Sequence, residues 1–225
     1  MTNIITLKMD TPSIQHLCKC CNHLEQIINT IGSLTYTRHE ANPYAHLVYN
    51  IIGQMLSNNV ADIMTERMLK LCNGKITPES VSLLADERIK KTGISNAKVR
   101  CIRDVTNRAL SGELDFRRFP EMPDQEIIKE LTSIKGIGNW TAKMYLIFVL
   151  DRQDILPFED GAFLKAYRWI YKSNDISPTA IQQKCAMWKP YSSIAARYLY
   201  RALDSGMTKK SFILENRRAT NGYKR

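Results

Sequence analysis

No apolar run in this chain approaches the roughly 18 residues needed to cross a bilayer, and the opening MTNIITLKMD lacks the charged-then-apolar layout of a secretory leader. An intracellular protein is expected, with no membrane partner. Cysteine is sparse. Of six, Cys18, Cys20 and Cys21 form a C-x-C-C group, while Cys72, Cys101 and Cys185 stand apart with no second pair at metal-ligand spacing. They read as reduced thiols rather than a zinc site or a disulfide framework. The four histidines, His16, His23, His39 and His46, are scattered too, and are expected at the surface or in helix packing. Period-two alternation is almost missing, and no internal repeat or low-complexity segment is visible.

What the chain has is positive charge and helical periodicity. Its 225 residues are 44% hydrophobic, enough for one or two compact cores. Lys and Arg number 32 against 22 Asp and Glu, a formal net charge of +10, which favours a polyanionic partner, nucleic acid above all. Apolar residues recur at three- and four-residue steps from His46 to Leu71, through Leu47, Ile51, Met55, Val60, Ile63, Met64 and Met68, giving two helices broken near Ser57 to Asn59. Further helices are expected over His16 to Ile31, Pro78 to Leu84, Asp86 to Lys91, Ala97 to Leu110, Pro123 to Leu131, Trp140 to Leu150, Phe163 to Tyr171, Pro178 to Met187 and Ser193 to Leu203. Short Gly- or Pro-bearing connectors separate them, as in a compact all-α protein. Lys209 to Arg225 is basic and polar and reads as a loosely held arm.

Two segments carry chemistry. Leu131 to Ala142 joins an amphipathic helix to an apolar one through Gly136-Ile137-Gly138. Glycines there permit positive φ and leave no side chain between backbone and ligand. The turn amides and the following helix N-terminus then suit a phosphate; an ordinary turn between helices is the alternative. In the second segment, Pro157 stiffens an extended loop and Asp160 stands where a new helix begins, a good N-cap. A capping carboxylate is rigid and its ionised form is favoured by amide donors, as an electrostatic catalyst requires.

The pattern of Ile134-Lys135-Gly136-Ile137-Gly138-x-x-Thr141-Ala142 followed by Pro157-x-x-Asp160 resembles the helix-hairpin-helix (HhH-GPD) superfamily of DNA glycosylases. Three ordered segments, Gln54-Met55-Leu56-Ser57, Gly93-x-Ser95-x-x-Lys98 and Trp188-x-Pro190-Tyr191-x-Ser193, extend the resemblance from about Pro43 to Leu203. It implies an all-α, two-lobed helical bundle with a DNA cleft between a central lobe, residues 43–152, and a second lobe made of residues 1–42 and 153–225.

By the same resemblance Asp160 is the catalytic carboxylate, with Glu159 as the neighbour a one-residue misalignment would substitute. Met55 is the wedge that fills the gap left by a flipped base, or else a core methionine. Gln54, Met55, Ser57, Lys98, Lys135, Gly136, Ile137, Gly138 and Thr141 would contact DNA, and Trp140, Trp188, Phe158 and Met144 would line the base pocket, unless the tryptophans are packed core. The carbonyls of Thr132, Ile134 and Ile137 would hold Na+ or K+. Relatives that also cut the strand have a lysine where this chain has Trp140, and iron-sulfur relatives have four cysteines after the catalytic loop, where only Cys185 stands. Both departures point to the monofunctional, alkylated-base branch, resembling 3-methyladenine DNA glycosylase II, with no iron-sulfur cluster and no required cofactor; a monomer acting on damaged double-stranded DNA is expected. A glycosylase for another lesion, a non-catalytic DNA-binding module, and a lyase using Lys135 or Lys143 are the alternatives. Gly161 and Met144 stand where relatives carry other side chains, so pocket shape and substrate choice are the open points.

Overall fold

The computed structural model describes residues 3–38 and 42–215. The chain opens with β1 (Asn3–Leu7), α1 (Pro12–Cys20), α2 (Asn22–Ile31) and β2 (Leu34–Arg38). Next come α3 (Pro43–Gly53), α4 (Asn58–Leu71), α5 (Pro78–Ser82), α6 (Asp86–Lys90), α7 (Asn96–Ser111), α8 (Asp124–Thr132) and α9 (Asn139–Phe148). It ends with α10 (Gly161–Tyr171), α11 (Pro178–Cys185) and α12 (Ser192–Asp204). Two compact units result, Met1–Ile4 with Thr37–Arg152, and Ile5–Tyr36 with Gln153–Arg225.

Local signals fix the helix starts. Pro43 sits in the first turn of α3 while the Asn42 side-chain oxygen accepts the Ala45 amide at 3.1 Å. Thr77 and Ser80 form a reciprocal capping box at α5, and Ser95 and Ser177 cap α7 and α11. In the first unit α3 packs against α4, α7 and α9. It is apolar nearly all round, with Tyr44, Leu47, Val48, Ile51 and Ile52 buried, as a central helix must be. The buried Tyr44 hydroxyl is satisfied by Thr106 Oγ1 at 2.7 Å. In the second unit α12 is the central helix, packed on α2 and α10. Its residues from Ser192 to Leu199 are all buried, within a core shared by Leu24, Ile28, Phe163, Tyr167 and Trp188.

Three expectations are corrected. The helix expected over His16 to Ile31 is two helices, because Cys21 is extended (φ −144°, ψ 104°), which turns Leu24, Ile27 and Ile28 into the core. Ile5, Leu7, Leu34 and Tyr36 belong to a two-stranded sheet of β1 and β2, carried by the N-terminal segment that had read as helical. The basic arm is anchored at its start: Trp169 Nε1 donates to the Lys210 carbonyl at 2.7 Å, Phe212 is buried, and Gln26 brackets Ile213 and Glu215 with two 2.9 Å bonds. His39, Arg217, Arg218, Lys224 and Arg225 lie outside the described residues. Among the described residues no helix is long and apolar enough to cross a membrane.

Arg152 closes the first unit. Its Nη2 donates to the carbonyls of Phe119, Pro120 and Met122, each at 2.9 Å, and its Nε lies 3.1 Å from Asp124 Oδ1 at the start of α8. Arg152→Ala is expected to cost about 2 kcal/mol, read as a lower urea midpoint at unchanged slope. Arg152→Lys should restore only part of it, since one ammonium can face the three carbonyls but has no second nitrogen for Asp124.

Candidate functional site

The hairpin between α8 and α9 belongs to the first unit. Gly136 has φ +103°, and a Cβ there would meet Cys101 Cβ at 3.1 Å and Sγ at 3.2 Å. Gly138 differs from expectation: its φ of −104° and ψ of 178° suit any residue, and nothing lies within 4 Å of where its Cβ would stand. Gly138 therefore serves by leaving open space in front of the backbone rather than by conformational freedom. It is the N-cap of α9, so the amides of Gly138 and Asn139 are among those that helix geometry leaves without an intrahelical partner. Lys135 is exposed beside them. Ile137 is buried and spends its amide on the Ile134 carbonyl at 3.0 Å, so it holds the turn's shape rather than facing a ligand.

Several residues expected at DNA instead tie this turn to the end of α3. Lys98 Nζ donates to the carbonyls of Ile52 and Gln54, both at 2.7 Å, closing the C-terminus of α3 with a cation. Burial holds this ammonium below its ordinary range. Gln54 Nε2 donates to the Gly136 carbonyl and to Thr141 Oγ1, both at 2.9 Å, and the Thr141 side chain is buried. Lys98, Gln54 and Thr141, expected at DNA, make hydrogen bonds inside the unit that clamp the turn to α3. Between them Met55 stands wholly exposed in a left-handed conformation (φ +56°). It is not a core methionine. Ser57 is exposed and precedes α4 without a side-chain capping bond.

The second unit holds the carboxylate. Asp160 Oδ1 accepts the Phe163 amide at 2.7 Å, fixing it as the N-cap of α10. The loop before it is pinned by α12: Ser192 Oγ donates to Asp154 Oδ1 at 2.5 Å, and Ser193 Oγ accepts the Ile155 amide at 2.8 Å. Tyr200, two turns along α12, is half-buried, and burial followed by the negative charge of Asp160 pushes its phenol well above the ordinary range. Glu159 is exposed.

Of the expected pocket residues, Trp140 and Phe158 are half-buried. Trp188 is corrected: it is fully buried, edge-on to Phe163 at 6.3 Å and stacked near Tyr171 at 6.4 Å, so its faces are taken by its own unit's core. Met144 is likewise buried, on the inner side of α9. Sequence reasoning missed Arg197, which is buried with its guanidinium carbon 3.8 Å from the centre of the Tyr36 ring. The available signal was a cationic residue inside the apolar stretch of α12, which must find a partner there.

A phosphate-ready hairpin in one unit and a capped carboxylate after a Pro-stiffened loop in the other define a class of protein. The family model for HhH-GPD superfamily base excision DNA repair proteins matches residues 48–190, and the chain belongs to this family. It is similar to DNA-3-methyladenine glycosylase 1 of Schizosaccharomyces pombe, at 28% identity over 83% of this chain and 84% of that protein. Among solved structures it resembles a DNA-3-methyladenine glycosidase of Bacillus halodurans (29% identity, TM-score 0.79, 92% of this chain and 96% of that one). It also resembles the S. pombe 3-methyladenine DNA glycosylase in complex with abasic DNA (26% identity, TM-score 0.79, 86% and 97%).

The two hairpin glycines should fail differently. Gly136→Ala, strained and crowded by Cys101, is expected to lose about 1 to 3 kcal/mol of stability in urea unfolding. Gly138→Ala should melt like the wild type yet bind duplex DNA several-fold more weakly by fluorescence anisotropy, because its methyl stands in the space left for a phosphate.

Proposed function

We propose that this protein is a monofunctional DNA glycosylase of base excision repair that acts as a monomer on damaged double-stranded DNA, hydrolysing the N-glycosidic bond of alkylated purines of the 3-methyladenine and 7-methylguanine class. The observation that carries the reading is the Asp160 carboxylate, anchored by the Phe163 amide in a chain of this family. The names of its relatives support the substrate class.

Alkylation leaves the base cationic, so it departs without a strong general acid. The enzyme must extrude the nucleotide, recognise a positive ring, and place negative charge near the sugar as it becomes oxocarbenium-like. Asp160 supplies that charge and orients the attacking water. The amides of Gly138 and Asn139, with Lys135, grip a backbone phosphate without reading sequence. Met55 enters the stack in place of the extruded base. Trp140 has an indole face of the kind a cationic ring prefers, worth about 0.5 to 2 kcal/mol. The carbonyls of Thr132, Ile134 and Ile137 are hard oxygen donors of the kind Na+ or K+ takes, and Ile134 keeps a second lone pair after accepting the Ile137 amide. A cation there would add positive charge beside the phosphate grip.

The test is release of free base from methylated duplex DNA by the wild type and by Asp160→Asn, with strand breaks scored before and after alkali. Release by wild type alone, with breaks only after alkali, is the expected result. Strand cleavage without alkali, with protein trapped on DNA by borohydride, would instead establish a lyase using Lys135 or Lys143. Met55→Ala should unfold at the wild-type urea midpoint, since the side chain buries nothing, while single-turnover base release slows by about tenfold or more.

A further inference from the structure

Methionine sulfur is the softest nucleophile in this chain after the thiols, and its reactivity toward oxidants follows its access to solvent. Among the described residues Met55 stands apart in that access. It is wholly exposed, against 43% for Met9 and 42% for Met187; Met68 and Met144 are buried, and the rest are half-buried. Its backbone is left-handed (φ +56°). Just before it, Lys98 Nζ donates to the Gln54 carbonyl at 2.7 Å, and Gln54 Nε2 donates to the Gly136 carbonyl at 2.9 Å. A chain fixed so closely on its N-terminal side keeps the thioether in water instead of letting it settle on the core.

We propose that Met55 is a redox modification site, which hydroperoxides convert to the sulfoxide ahead of the other described methionines, and that the converted side chain no longer serves as a wedge. With hydrogen peroxide, a sulfur lone pair attacks one oxygen and an S–O bond forms as the O–O bond breaks. The sulfur loses two electrons, and the departing oxygen takes up the proton released from the first and leaves as water. A dithiol acting through methionine sulfoxide reductase reverses the change, becoming a disulfide as the sulfoxide oxygen leaves as water. The free protein is indifferent to the new oxygen, because Met55 buries nothing and water hydrates the sulfoxide. Inside a base stack that oxygen would lose its water, a cost an apolar thioether does not meet. The inference deepens the reading of Met55 as the residue that enters the stack and rests on it.

The experiment exposes the full chain to dilute hydrogen peroxide, returns it to dithiothreitol, and maps each methionine by peptide mass. Single-turnover base release from methylated duplex and the urea midpoint are measured on the same samples. Met55 is expected to gain one oxygen first, with Met9 and Met187 following and Met68 and Met144 last. Base release should fall by about tenfold as Met55 converts, at an unchanged urea midpoint. Methionine sulfoxide reductase with dithiothreitol should restore the rate where dithiothreitol alone does not, which separates the sulfoxide from oxidised cysteine. Met55→Leu, compared with its own untreated rate, should lose nothing on treatment. An abasic-site duplex bound beforehand should shield Met55 from oxidation. Oxidation of Met9 or Met187 ahead of Met55 overturns the site. Full conversion of Met55 with base release unchanged overturns its effect while the proposed glycosylase stands. No base release by the untreated wild type removes the proposed function and the effect on the wedge together, and the order of oxidation still decides the site.

Discussion

The Lys98 ammonium closes the C-terminal end of α3, where helix geometry leaves carbonyls without partners. Without it, the chain leaving α3 would be fixed by backbone alone. With it, the carbonyl of Gln54 is held, so the Gln54 side chain leaves from a defined point and reaches both the Gly136 carbonyl and Thr141. Three elements far apart in sequence, the start of α7, the end of α3 and the turn before α9, become one rigid piece. Backbone amides that are already ordered cost less to engage when a ligand arrives, and this clamp orders those of the turn in advance.

The second unit solves the same problem with serines instead of a lysine. Ser192 and Ser193 open α12 and use their hydroxyls on Asp154 and Ile155, fixing the approach to Pro157 and Asp160. The capping bond then does structural and chemical duty together. An N-cap is most effective as a charged acceptor of amide hydrogens, and the proposed chemistry needs a carboxylate that stays charged. Structural and catalytic demands on Asp160 therefore point the same way, and no stability has to be surrendered to keep it.

Much of this was legible in the sequence, but as identity rather than as contact. The Gly-x-Ser-x-x-Lys segment was readable, yet periodicity cannot say that Ser95 caps α7 while Lys98 turns inward to another helix. The internal bonds of Gln54 and Thr141 were hidden for the same reason: a motif shows that a side chain matters and is silent on which partner takes it. Trp188 misled because an aromatic suits a core and a pocket equally. The β1 and β2 pair was missed because two five-residue strands supply too few alternations to register. The break at Cys21 carries neither Gly nor Pro and arises from the need to turn α2 toward the core.

Met55 is where folding stops explaining the sequence. A wholly exposed methionine buries no apolar surface, and a left-handed conformation costs a non-glycine residue roughly 1 kcal/mol or more. Glycine or asparagine would sit there more cheaply if stability alone decided. The strain persists because Lys98 and Gln54 fix the chain just before it, so the clamp that readies the hairpin also thrusts Met55 into solvent. An apolar side chain held outward on a clamped turn gains its free energy only once an apolar partner arrives, which is what the proposed entry into a base stack would supply.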